Sequence, residues 1–201
     1  MSKVHTVPCA LVFAAALIMP GSSSAQEQPK EPKTYTVAGE ALRGYQNIES
    51  NLADAAEKMP EEHYSFKATP DVRSFGGHIA HIALSQYGLC SRLKGEANPK
   101  KDEKEDATRS KADAIALLKG STSYCEPLVT AITDANLTEM LPMGQDKVQR
   151  ALIPLALISH ADEVYGSMAV YLRLKGIVPP STEKAKAMKK ETTEQSKKTS
   201  Q

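Results

Sequence analysis

Residues 74–95 read SFGGHIAHIALSQYGLCSRLKG. This stretch carries its own helical punctuation and the first chemically pointed residue of the chain. Ser74 is a good N-cap residue, because its hydroxyl can accept a hydrogen bond from an otherwise unpaired N–H of the first turn. Gly95 is a good C′ residue, because glycine tolerates the left-handed backbone that closes a helix. Between them His78, Ile82, Ser85, Leu89 and Leu93 recur at helical spacing, with His81 adjoining the stripe. The spacing predicts an amphipathic helix from Ser74 to just before Gly95.

Three more segments carry the same period. Leu42, Tyr45, Ile48, Leu52 and Ala55 form one apolar stripe, predicting a helix from about Val37 to Met59 that Pro60 ends. Ile115, Leu118, Thr122, Cys125, Leu128 and Ile132 predict a helix from about Thr108, weakened or kinked near Gly120 and Pro127. Leu152, Leu155, Ala161, Val164, Met168 and Leu172 predict a helix over about Asp146 to Lys175, kinked by Pro154 and stopped by Gly176. No convincing strand stands out. Four such helices make an all-α four-helix bundle over residues 37–180.

The ends of the chain read differently. Lys3, the apolar run Cys9–Met19, the break Pro20-Gly21 and the small residues Ser23-Ser24-Ala25 match a secretory signal peptide over residues 1–25. That run is too short to span a bilayer, and no later segment is apolar enough to do so, so stable membrane insertion is not expected, an N-terminal anchor being the lesser alternative. A periplasmic or secreted location is therefore expected. Residues 26–36 read as a linker. Residues 181–201 are charged and poor in large apolar groups, so a disordered tail is expected there. The formal net charge of +1 is accounted for by Lys3, since the signal segment holds no acid. Without a basic stripe or aromatic–basic interleaving, nucleic acid is not an expected partner.

After cleavage two cysteines remain, Cys90 and Cys125, in an oxidising compartment where a disulfide is the leading expectation. The connections 60–73, 95–107 and 135–145 are longer than tight hairpins need. In a tight antiparallel hairpin Cys90 would face the start of the third helix, and at about 1.5 Å per residue the mismatch would be roughly 20 Å. That exceeds disulfide reach. If the second and third helices run parallel, the two thiols sit at similar heights, so the crossover and the disulfide support each other. Two buried free thiols are the alternative.

His81 and the later stretch Ser159-His160-Ala161-Asp162-Glu163-Val164-Tyr165-Gly166 supply the candidate chemistry. One helix often offers two metal ligands at i and i+4, which stack on one face. Four residues after His160 stands Val164, which cannot bind a metal. Taken in order, the Ser74-Phe75-Gly76 start with His81, the Cys90-Ser91 and Tyr124-Cys125 pairs, the His160–Gly166 stretch and the exit Tyr171–Ser181 resemble the DinB family of four-helix bundles. The resemblance covers about Val37 to Ser181. It implies an up-down-down-up topology with a crossover between helices 2 and 3. It also implies a divalent metal, often zinc or nickel, held by one histidine of the second helix and an H-x-x-x-H pair of the last. Characterised members of that family include thiol-dependent transferases and isomerases. Bundles of this type often form a homodimer, although no stripe here demands one.

Carried over residue by residue, His81 matches the first ligand, His160 the second, and Val164 stands where the third would be. Three readings stay open. In one, a substitute ligand completes the site; His78, three residues before His81, can face the same side. In another the site is lost and the bundle is a non-catalytic binding or structural protein. In the third, the two histidines hold a metal weakly beside a cavity for an unknown small molecule, with Tyr87, Tyr165 and Tyr171 as lining candidates. A catalytic site would use the metal as a Lewis acid. Periplasmic placement favours a hydrolase over a thiol transferase.

Overall fold

The structure is a computed structural model that describes residues 33–105 and 109–199. The expected signal peptide and most of the expected linker lie outside those residues. Four helices form the bundle: α1 (Val37–Lys58), α2 (Phe75–Lys94), α3 (Lys111–Thr130) and α4 (Leu152–Leu174). A two-stranded hairpin, β1 (Met140–Met143) and β2 (Asp146–Gln149), precedes α4, and a fifth helix, α5 (Pro180–Thr199), follows it.

The helix ends follow the local chemistry. Thr36, Ser74 and Ser110 each cap a helix by accepting a hydrogen bond from the backbone N–H three residues on. Gly95 closes α2 in the left-handed conformation, with φ 68°.

Contacts along the seams define the topology. Ser121 meets Gln86, and one turn further on Cys125 meets Cys90, so α2 and α3 run parallel. Ala38 bonds to Asp134, Glu49 to Thr122 and Glu57 to Lys119, so α1 is antiparallel to α3. Gly44 lies against Ile158 and Lys58 reaches the carbonyl of Val178, so α1 is parallel to α4. The bundle is therefore up-down-down-up, and the end of α2 at Gly95 and the start of α3 at Ser110 lie at opposite ends of it. The Cys90–Cys125 disulfide, Cα atoms 5.5 Å apart, staples the parallel pair.

The core has two parts. Leu52, Met59, Phe75, Ile79, Leu118, Met168 and Leu172 fill the end where α2 begins. Tyr45, Cys90, Cys125, Val129, Ile153 and Leu157 fill the other end, with Leu141, Met143 and Val148 of the hairpin packed on them.

Several expectations are corrected. The predicted last helix begins at Leu152, not near Asp146, because residues 146–149 pair with 140–143 around Gly144, whose φ of 68° makes the turn. Pro154 consequently falls in the first turn of α4. Its missing N–H has no partner to lose there, so the expected kink has no cause. Helix α3 runs unbroken through Gly120 and Pro127. At Gly120 a Cβ would come to 2.5 Å from the Tyr87 hydroxyl, so that side chain would have to shift.

The segment expected to be a disordered tail is helix α5. Its low apolar content rules out burial but not helicity, since Ala, Glu, Lys, Met and Gln are strong helix formers. Its first turns are moored to α1 by Lys184 on Asn51 and Asp54, each at 2.9 Å, and by Glu183 on Lys58 at 2.5 Å.

Candidate metal centre

The start of α2 is held tightly, and this sets the height of His81. Ser74 Oγ accepts from Gly77 N–H at 3.0 Å, and the carbonyl of Tyr64 accepts from Gly76 N–H at 2.9 Å. A side chain at Gly76 would press on the Tyr64 ring at 3.2 Å, so glycine permits this close approach. Across the bundle Tyr171 of α4 donates its hydroxyl to the carbonyl of Arg73 at 2.6 Å, tying α4 to the same turn.

This framework brings His81 and His160 together. Their rings stand edge to face at 78°, with centroids 5.0 Å apart. Two imidazoles sharing one tetrahedral zinc, with Zn–N about 2.0–2.1 Å, have centroids about 5 Å apart, so the spacing is one a common ion allows. His81 Nδ1 lies 2.9 Å from Glu105 Oε1, and Glu105 Oε2 lies 3.3 Å from both Nε and an Nη of Arg73. Partial burial works against the Glu105 carboxylate. The hydrogen bond from His81 and the Arg73 charge nevertheless hold its pKa below the usual range. His160 has a looser neighbour, Glu163 Oε2, at 3.6 Å from its Nδ1 and largely exposed.

The other residues of the predicted site lie apart from this pair. Val164 is buried, 4% exposed, and belongs to the apolar core. His78 is packed edge to face on Tyr171 at 5.2 Å. Burial, with the Arg73 charge and the neighbouring His81 ring, pushes its pKa down to about 4. Among the described residues no group of three or more His, Cys, Asp or Glu is placed to hold a metal. The donor set is thus two imidazoles, one of them anchored by a carboxylate. It suits zinc, nickel or copper alike and leaves most coordination positions open.

One hollow reaches His160 and a second reaches Glu105. An apolar cleft of about 210 Å³ between α2 and α4 is lined by Ile82, Leu89, Leu157 and His160. A larger cavity of about 490 Å³ at the start of α2 is lined by Tyr64, Lys67, Arg73, Gly76, Glu105 and Arg109. Glu105 joins the second hollow to His81. The three tyrosines considered as lining candidates pack elsewhere: Tyr87 on Tyr124, Tyr165 onto Ser181, and Tyr171 onto Arg73.

A buried polar network backs the apolar cleft. Gln86 Nε2 donates to Glu49 Oε1 at 2.5 Å, Thr122 Oγ1 donates to Glu49 Oε2 at 2.6 Å, and Ser121 Oγ donates to Gln86 Oε1 at 2.6 Å. Burial raises the Glu49 pKa, partly offset by the hydrogen bonds from Thr122 and Gln86. Sequence reading missed both Glu49 and Glu105. Glu49 lies on the flank of the α1 stripe. Glu105 sits in a charged connection where nothing in the spacing points to His81.

Comparison with known proteins agrees with this architecture. The family model of the DinB superfamily matches residues 45–161. The uncharacterized protein YjoA of Bacillus subtilis (strain 168) is 26% identical over 137 residues, covering 66% of this chain and 84% of that protein. The crystal structure of a DinB-like protein from Bacillus cereus ATCC 10987 superposes with a TM-score of 0.57 at 19% identity, over 70% of this chain and 93% of that one. The crystal structure of YjoA gives a TM-score of 0.53 at 21% identity, over 68% and 92%.

Proposed function

The chain belongs to the DinB superfamily, and from that premise we propose that it is an exported protein holding a divalent metal, zinc or nickel, between His81 and His160 for hydrolytic or thiol-transfer chemistry on a small molecule. The observation that carries this reading is the 5.0 Å edge-to-face approach of the two rings, with Nδ1 of His81 already engaged by Glu105. When bound, such an ion supplies Lewis acidity toward water or a thiol. The protein's own parts have separate tasks. His81 and His160 bind, Glu105 orients, Val164 closes the position where the family places a third ligand, and the apolar cleft beside His160 receives a small molecule. Export is supported by the buried Cys90–Cys125 disulfide, because such bonds persist mainly in oxidising compartments.

A second reading, a non-catalytic binding bundle, is favoured by one observation: Val164 is packed into the core and no third donor replaces it among the described residues. Elemental mass spectrometry on protein exported to a periplasm and purified without chelator separates the two. Near one equivalent of zinc, nickel or copper, lost in His81→Ala and in His160→Ala, supports the metal reading. No bound metal and no uptake on addition would leave the binding-bundle reading.

A further inference from the structure

The two histidines are not equivalent. Apart from its ring contact with His81, His160 meets Glu163 at 3.6 Å, a long and exposed contact beyond hydrogen-bond range. His81 is less exposed and makes a 2.9 Å hydrogen bond to Glu105, which comes from the crossover connection rather than from either bearing helix. Glu105 is itself held, because both its oxygens are engaged, one by His81 and one by Arg73. The Arg73 backbone is fixed in turn at the capped start of α2, where its carbonyl accepts from Tyr171.

We infer that Glu105 is the positioning residue of the histidine pair: it accepts a hydrogen bond from His81 Nδ1–H and so selects the tautomer that leaves Nε2 as the donor atom for a divalent cation. This rests on the metal reading above. The physical reason lies in what a neutral imidazole can do. It carries one N–H and one lone pair, and the partner of the first decides which nitrogen offers the second. A carboxylate on the far nitrogen also raises ligand basicity, and loss of such a partner typically weakens metal affinity about 10- to 100-fold. A site with two protein imidazoles has few other means of fixing its geometry. The chain Arg73–Glu105–His81 supplies one, and it lies outside the H-x-x-x-H pattern by which such a site is recognised.

A surface ion pair between Arg73 and Glu105 with no further role would have different consequences, so the test uses two readouts. Zinc is titrated calorimetrically into the full mature chain with its disulfide intact, for wild type, Glu105→Ala and Glu105→Gln. The tautomer of His81 is read in the same metal-free proteins by ¹⁵N nuclear magnetic resonance of the imidazole ring. The expected result is a 10- to 100-fold loss of zinc affinity in Glu105→Ala, with partial retention in Glu105→Gln, whose amide oxygen can still accept. The Nδ1–H form should be dominant in wild type and lost in Glu105→Ala. Unchanged affinity in a folded Glu105→Ala overturns the inference. If wild type takes up no zinc, the metal reading fails by itself. The resonance readout then decides the role of Glu105: a tautomer shift in Glu105→Ala upholds positioning, and no shift overturns it.

Discussion

His81 on α2 and His160 on α4 stand edge to face with ring centroids 5.0 Å apart, although they belong to helices that run in opposite directions. One turn beyond His160, Val164 is buried, and on the proposed metal reading it stands where a third ligand would be. Replacing it, Val164→His, should raise zinc affinity at least tenfold over wild type. Without metal the variant should lose about 1–3 kcal/mol, the cost of a buried polar group lacking a partner. Calorimetric titration and thermal melts with and without zinc check both halves. A folded variant with wild-type affinity would mean that this helix face does not converge on His81.

The buried histidine His78 should make the protein acid-sensitive. Its pKa is pushed from 6.5 down to about 4, chiefly by burial. Between those values the unfolded chain binds more protons than the folded one, so stability rises with pH across the window and is lost as pH falls from 6.5 toward 4. His78→Phe, which keeps an aromatic edge against Tyr171, should flatten that dependence. Urea titrations at several pH values from 4 to 7 measure it, and an unchanged slope would sink the assignment.

Glu49 acts with the opposite sign. Burial raises its pKa, so the folded state binds more protons than the unfolded chain above the ordinary carboxyl value. Stability from this group is greatest below that value and declines as pH rises through the window. Glu49→Gln keeps an acceptor for Gln86 and cannot ionise. Its stability relative to wild type should therefore improve as pH rises from 4 to 7. The same denaturation series reads this, and a constant difference between the two proteins would contradict it.

The disulfide between Cys90 and Cys125 closes a loop with a sequence separation of 35. Chain-entropy arguments put its contribution at about 3–4 kcal/mol. Because both residues are fully buried, the double replacement by Ala isolates the bridge better than Ser, which would bury two hydroxyls. The variant and the reduced wild type should lose similar stability in chemical denaturation. A loss below about 1 kcal/mol would show that α2 and α3 hold together without the staple.

Legibility in the sequence followed the range of the interaction. Ser74 and Gly95 mark the ends of α2 because capping is local, and both ends stand where the residues place them. The parallel pairing of α2 and α3 was readable only together with the disulfide, since a Cys90–Cys125 bond is out of reach in a tight antiparallel hairpin and two free thiols would have left the topology open. The hairpin at 140–149 was not readable. Each strand has four residues, and its apolar members Leu141, Met143 and Val148 find their reason only against the end of the bundle. Composition misjudged α5, because a lack of apolar residues says nothing of intrahelical hydrogen bonds or of Lys184 reaching Asp54.

The same division holds at the candidate site. The family resemblance singled out His81 and His160, with Val164 as the gap, and helical periodicity adds only that positions 160 and 164 share one face. That the two rings meet at 5.0 Å, that Glu105 rather than Glu163 engages an imidazole, and that His78 turns to Tyr171 were decided by the packing of the four helices and the course of the crossover. A helix repeats every few residues and declares itself in any window of the chain. Where a connection lays a single carboxylate depends on the whole bundle, and no local pattern carries that information.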